Sequence, residues 1–128
     1  MLKGPIAVRF EQVFPFGAYL NSDVEPVFEF ENGKRGSQKK HPVTGELLWE
    51  VTVIDGDRSL KGAQTVAKVK LAAAYQPVPP NSVAGSPFTP VEFTEMTATP
   101  YISDNGGRAR LAWSYMARDM VAADAAQS

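Results

Sequence analysis

Cysteine is absent from the 128 residues, so no disulfide framework, thiol nucleophile or cysteine-bound metal cluster is available and stability has to come from packing. A single histidine, His41, leaves no second imidazole for a zinc site built without cysteine. No apolar run approaches the roughly 20 residues that cross a bilayer. The segment from Met1 to Phe10 sets Lys3 and Arg9 among a few apolar residues and does not read as a signal peptide. The expectation is a cytoplasmic chain that does not enter a membrane. Helical periodicity is also scarce. Catalytic signatures are missing: Gly33-Lys34-Arg35-Gly36 and Gly106-Gly107 lack the spacing of a phosphate loop, and there is no nucleophile elbow. Asp55-Gly56-Asp57 lacks the remaining ligands of a calcium loop and reads as a turn capped by an aspartate. The chain is therefore expected to be no enzyme and to carry no cofactor or metal.

What is present is the composition of one folded domain: 13.9 kDa, 44% hydrophobic and 21% charged. Short stretches rich in β-branched and aromatic residues recur between Gly, Pro, Asn and Asp. Phe16–Glu31 reads as a long first strand with a bend at Asn21-Ser22-Asp23 and Pro26. Leu47–Asp55 alternates Trp49, Val51 and Val53 against Leu48, Glu50, Thr52 and Ile54. Gln64–Ala74 sets Ala67, Val69 and Leu71 against Val66, Lys68 and Lys70. Residues 75–90 hold five of the ten prolines and read as an extended crossover. Val91–Tyr101 is strand-like, Ser103–Gly107 is a hairpin turn, and Ala109–Arg118 is a last strand.

Five principal strands in this order, with a long loop after the first and a turn before the last, predict an all-β fold: a small Greek-key barrel, OB-like, with a proline-rich crossover. Residues 1–118 form the barrel-like domain and 119–128 a short tail that frays or makes a helical turn. The expected core contains Phe28, Trp49, Val51, Val53, Val69, Leu71, Phe93, Leu111 and Trp113.

The net charge is −1, which excludes a strong global basic field, but its distribution is uneven. Residues 32–70 carry eight basic and four acidic side chains, whereas residues 1–31 carry two and five. In barrels of the OB type the loops after the first strand and before the fifth flank the face that holds oligonucleotides. Those loops carry Lys34, Arg35, Lys39 and Lys40, then Arg108 and Arg110; Lys68 and Lys70 share a strand face between them. These eight residues are the candidate nucleic-acid contacts, and Tyr19, Tyr101 and Tyr115 are the tyrosines best suited to stack on bases.

The stretches VRFEQVFPFGAYL (8–20), TGELLWEVTVIDGD (44–57), QPVPP (76–80), PFTPVEFTEMTATPYI (87–102) and RLAWSYMA (110–117) together resemble the small actinobacterial proteins called plasmid replication, integration and excision activators. Such proteins occur in integrative and conjugative elements and plasmids of Streptomyces and its relatives. The resemblance implies a part in moving and copying a mobile element, in the cytoplasm and close to DNA; it supplies no catalytic or binding residue. The expected role is a non-enzymatic accessory factor that binds single-stranded DNA weakly. The alternative is an adaptor that does not contact DNA itself and whose acidic faces around Glu25, Glu29 and Glu31, or exposed sheet edge, engage a replication initiator, helicase, recombinase or transcription factor. Duplex recognition ranks third, because no recognition helix is present.

Overall fold

The computed structural model describes residues 5–81, 88–105 and 107–123. Strands take 57% of the described residues and helix 7%, which makes the fold predominantly β. The elements are β1 (Ile6–Val8), α1 (Phe10–Val13), β2 (Ala18–Leu20), β3 (Glu25–Pro26), β4 (Phe28–Glu31), β5 (Lys34–Gln38), β6 (Leu48–Asp55), β7 (Val66–Ala72), β8 (Thr89–Thr94), β9 (Met96–Asn105), β10 (Arg108–Ala117) and β11 (Asp119–Ala122). The main sheet has the order β1-β9-β10-β7-β6-β2-β8-β11, with β3 also on β6, and it curls into a half-barrel. All pairings are antiparallel except β7 with β10, where Val69–Leu71 run parallel to Tyr115–Ala117. β4 and β5 form a separate two-stranded ribbon.

Alternation places the core as expected along the central strands. Val51, Val53, Val69, Leu71, Val91 and Phe93 are all buried on the inner side of the curl, with Trp49 beside them. The Trp49 indole donates from Nε1 to the Ala73 carbonyl at 3.0 Å, which satisfies its one polar group. α1 closes one side: Phe10 and Phe14 lie 5.5 Å apart and each reaches the Phe93 ring, at 6.2 and 6.4 Å.

Several expectations are corrected. The long first strand is interrupted. Leu20 faces Val53 and Glu25 faces Glu50, so the four residues Asn21–Val24 stand against only Val51 and Thr52 of β6, and the excess of two bulges there. There the Ser22 hydroxyl accepts the Thr52 amide at 2.9 Å in place of a ladder bond. Val91–Tyr101 is two strands, broken at Glu95, whose φ of 48° shifts the alternation by one residue. Val91 and Phe93 point inward before it, Met96 and Ala98 after it, and Glu95 itself is exposed. β11 continues the pairing beyond residue 118, with Met120 buried against β8 partners, where a frayed or helical tail is expected from the alanines.

Phe28, Leu111 and Trp113 are not core. Phe28 is half-buried on the β4–β5 ribbon, whose strand residues other than Phe28 and Gln38 are exposed, and its ring lies 4.5 Å below the Arg35 guanidinium. Leu111 and Trp113 are 65% and 42% exposed, because β9 and β10 run on beyond the half-barrel as a two-stranded arm. The basic stretch 34–38, expected as a loop, is strand β5. Asn32 and Gly33, with φ of 53° and 77°, close a two-residue turn between the paired Glu31 and Lys34.

The turn after β6 depends on a glycine for space. The Gly56 amide donates to the Gly17 carbonyl at 2.9 Å, and a Cβ on Gly56 would meet the Phe16 carbonyl oxygen at 2.2 Å. Backbone oxygen cannot move aside as a side chain can, so Gly56→Ala is expected to lower stability by about 1–3 kcal/mol, as overpacking does elsewhere. A urea midpoint equal to wild type would show that the two turns do not meet this closely.

Candidate nucleic-acid interface

The outer face of the curl is polar where β6 and β7 pair. Glu50 stands opposite Lys70 and Thr52 opposite Lys68. Because Val69 and Leu71 point inward, Lys68 and Lys70 necessarily share the outer face. β10 meets β7 for only three residues, whereas it follows β9 all the way from Arg108 to Met116. Upstream of Tyr115 the two strands therefore part, and the sheet opens between Val66–Lys68 and Trp113–Ser114.

That opening is a groove of about 730 Å³ lined by Glu50, Val66, Ala67, Lys68, Lys70, Thr99, Tyr101, Trp113, Ser114 and Tyr115. Register assigns Glu50, Lys68, Lys70, Ser114, Thr99 and Tyr101 to the outer face, while Ala67, Trp113 and Tyr115 belong to the inner face and reach the groove through the gap. Two aromatic rings, Tyr101 at 50% and Trp113 at 42% exposure, thus open into a space with two ammonium groups. Among the described residues Glu50 is the only carboxylate in the lining, and it reaches the Lys68 Nζ at 3.9 Å.

The eight candidate contacts separate into three groups. Lys68 and Lys70 line the groove. Arg108 and Arg110 are exposed on β10 with the same facing as Ser114, so Arg110 lies about 13 Å further along the arm at ~3.3 Å per residue. Lys34, Arg35, Lys39 and Lys40 are not brought to the groove. Lys34 and Arg35 stand on the ribbon opposite Glu31 and Phe30; Lys39 lines a separate hollow with Phe28–Glu31; Lys40 bridges to Leu47. That bridge anchors the base of the ribbon near Leu48 and Ala72, the end of the β6–β7 pair opposite to the arm.

Trp113 is the groove residue that sequence reasoning assigned elsewhere. Its alternation with Leu111 and Tyr115 is that of a core strand, and nothing in the residue pattern of β10 marks where the covering layer stops. Tyr101 was legible, as a tyrosine beside basic positions.

His41 and the paired aspartates have local duties. The His41 Nδ1 accepts the amides of Val43 and Thr44 at 3.1 and 3.2 Å, which holds the turn before β6. The Asp55 Oδ1 accepts the Asp57 amide at 2.9 Å, the aspartate-capped turn read from the sequence. Asp57 in turn accepts the Ser59 hydroxyl and amide, and these two bonds hold its carboxyl below the ordinary aspartate value.

Tyr115 sits at the inner end of the groove, 6.3 Å from the Phe14 ring. Burial raises the phenol above its ordinary value, and the charge of Asp55 adds to the rise. A folded-state value above the unfolded one means that the neutral phenol contributes its full stability below about pH 10, and that this is lost as the pH climbs through the folded-state value. Alkaline unfolding is expected to be shallower in Tyr115→Phe than in wild type. Identical alkaline limbs would remove Tyr115 from the cause.

Comparison with protein-family models, curated proteins and solved structures finds no match.

Proposed function

We propose that this chain is a non-enzymatic DNA-associated accessory factor of a mobile genetic element and that it binds single-stranded DNA weakly in the groove beside β7 and β10. The observation that carries the reading is the pairing of two open rings, Tyr101 and Trp113, with Lys68 and Lys70 in one groove. Unpaired bases offer π-faces that stack on such rings, while ammonium groups follow the phosphates; duplex DNA keeps its bases stacked internally and gains only the second term. The mobile-element context comes from the resemblance in the sequence motifs.

The accompanying fold proposal is a small Greek-key barrel of OB type. Its support is the strand order: β2 with β3 act as the first strand, β6 and β7 as the second and third, β8 with β9 as a bent fourth and β10 as the fifth. The third and fifth run parallel, and the fourth returns to pair with the first through β8 and β2. In such barrels the second and third strands supply the ligand face, flanked by the ribbon-bearing loop at one end and the β9–β10 arm at the other.

Weakness follows from the charges. Two lysines neutralise two phosphates at most within the groove, for a salt slope of about −1.4 at ~0.7 per contact on a single strand, and Glu50 competes for Lys68. Titration of a labelled single-stranded oligonucleotide from about 50 mM salt upward tests this, with a duplex alongside. Lys68→Gln with Lys70→Gln is expected to flatten the slope by about 1.4, whereas Lys39→Gln with Lys40→Gln should change it less. A larger effect at Lys39 and Lys40 would move the path onto the ribbon. Absence of single-strand binding by wild type at about 50 mM salt would end the DNA-binding reading.

A further inference from the structure

A second surface, on the opposite flank, carries the other charge. A hollow of about 660 Å³ is lined by Phe10, Glu11, Phe14, Pro15, Phe16, Tyr19 and Glu92 among others. A neighbouring one of about 440 Å³ is lined by Val8, Arg9, Phe10, Glu11, Glu92, Glu95 and others. The two share Phe10, Glu11 and Glu92, so they adjoin as halves of one trough that runs between α1 and β8.

Three carboxylates, Glu11, Glu92 and Glu95, face a single guanidinium in that lining, Arg9. The pairs that exist are exposed and long: Arg9–Glu11 at 3.7 Å and Arg118–Glu95 at 3.6 Å, the kind that exchange readily with another cation. Glu92 has no ion pair among the described residues, although it is half-buried. One end of the trough is aromatic and open, with Phe16 at 63% and Tyr19 at 38% exposure. Carboxylates beside accessible ring faces suit a side chain that is both cationic and flat or long-stemmed, which describes arginine and lysine rather than a metal ion or an anion.

We propose that this trough is a docking site for an extended basic segment of a partner protein, with Glu11, Glu92 and Glu95 receiving its arginines or lysines and Phe16 and Tyr19 seating one of them against their rings. The partner therefore carries an arginine- and lysine-rich tail or loop. The site differs from the acidic faces expected around Glu25, Glu29 and Glu31, where the ribbon already sets Glu31 opposite Lys34. It does not depend on the groove reading, since no residue of the trough lines the groove.

Fluorescence anisotropy with a labelled octapeptide of arginine and lysine, its glutamate counterpart as control, tests the proposal at about 50 mM salt. Wild type should bind the basic peptide and ignore the acidic one. Glu11→Gln with Glu92→Gln is expected to weaken binding about tenfold and flatten its salt dependence, two exposed pairs being lost. Phe16→Ala, at an exposed position, should weaken it about two- to five-fold with the salt dependence kept. Glu29→Gln with Glu31→Gln, and Lys68→Gln with Lys70→Gln, should bind as wild type does. No binding by wild type overturns the proposal. So does a loss of affinity at Glu29 and Glu31 equal to that at Glu11 and Glu92, or an unaltered Phe16→Ala, since either signals diffuse charge attraction without a seat. Concentration-dependent sedimentation of wild type alone that disappears in the Glu11→Gln, Glu92→Gln variant would assign the trough to a second copy's basic arm and overturn the partner reading.

Discussion

Phe93→Ala is expected to lose about 3–5 kcal/mol of folding free energy, the range for emptying a packed aromatic site. The ring is 3% exposed and forms the floor on which both Phe10 and Phe14 rest. With alanine there, the α1 turn loses the ring that both phenylalanines share and keeps the Phe10–Phe14 and Phe14–Tyr115 contacts, and four residues of helix have little stability of their own. A chain of this size should then melt roughly 12–20 °C lower at ~4 °C per kcal/mol. Leu111→Ala is the comparison. At 65% exposure on the arm it should cost well under ~1 kcal/mol, although both residues sit at inward positions of their strands. Equal losses in the two variants would mean that the arm is covered in solution and that the curl does not end where β10 parts from β7.

The contrast between those two residues is also where sequence reasoning stops. Alternation reports which side of a strand is apolar, and along β6, β7 and β8 that was sufficient: Val51, Val53, Val69, Leu71 and Phe93 are buried as read. It does not report how far the opposing layer extends. Leu111 and Trp113 keep the alternation of Tyr115 and Ala117 yet stay 65% and 42% exposed, since the partner that buries a strand face comes from distant parts of the chain. Breaks were legible where turn chemistry is local. The bulge at Asn21–Asp23 is marked by its residue types, and Asn32-Gly33 carries the same kind of signal; the turn expected over Ser103–Gly107 is shorter than that, since Ser103–Asn105 still pair within β9 and Gly106 lies outside the described residues. Glu95 carries none, because glutamate is not among the residue types that favour a positive φ, here 48°. The site divides in the same way. Lys68 and Lys70 could be placed on one face by counting two, whereas their meeting with Tyr101 and Trp113 needs the parallel pairing of β7 with β10, across more than forty residues of chain.

Trp113→Ala should separate binding from stability most cleanly. A stacked base is worth about 1–3 kcal/mol by alanine substitution, so single-strand affinity is expected to fall about 5- to 150-fold. The salt slope should stay where it is, because no phosphate contact is removed; Lys68→Gln with Lys70→Gln should do the reverse and change the slope most. Stability should drop by no more than about 2 kcal/mol, short of the cost of a fully packed ring, given the 42% exposure. The protein supplies its own reporter. Its only other tryptophan, Trp49, is buried and hydrogen-bonded to the Ala73 carbonyl, so quenching by single-stranded DNA should come from Trp113 and vanish in the alanine variant. Trp113→Phe, which keeps a ring face, should recover most of the affinity. If Trp113→Ala instead unfolds the chain, or binds as wild type with its quenching intact, the ring is a structural cover for the gap between β7 and β10, and stacking must be sought at Tyr101 alone.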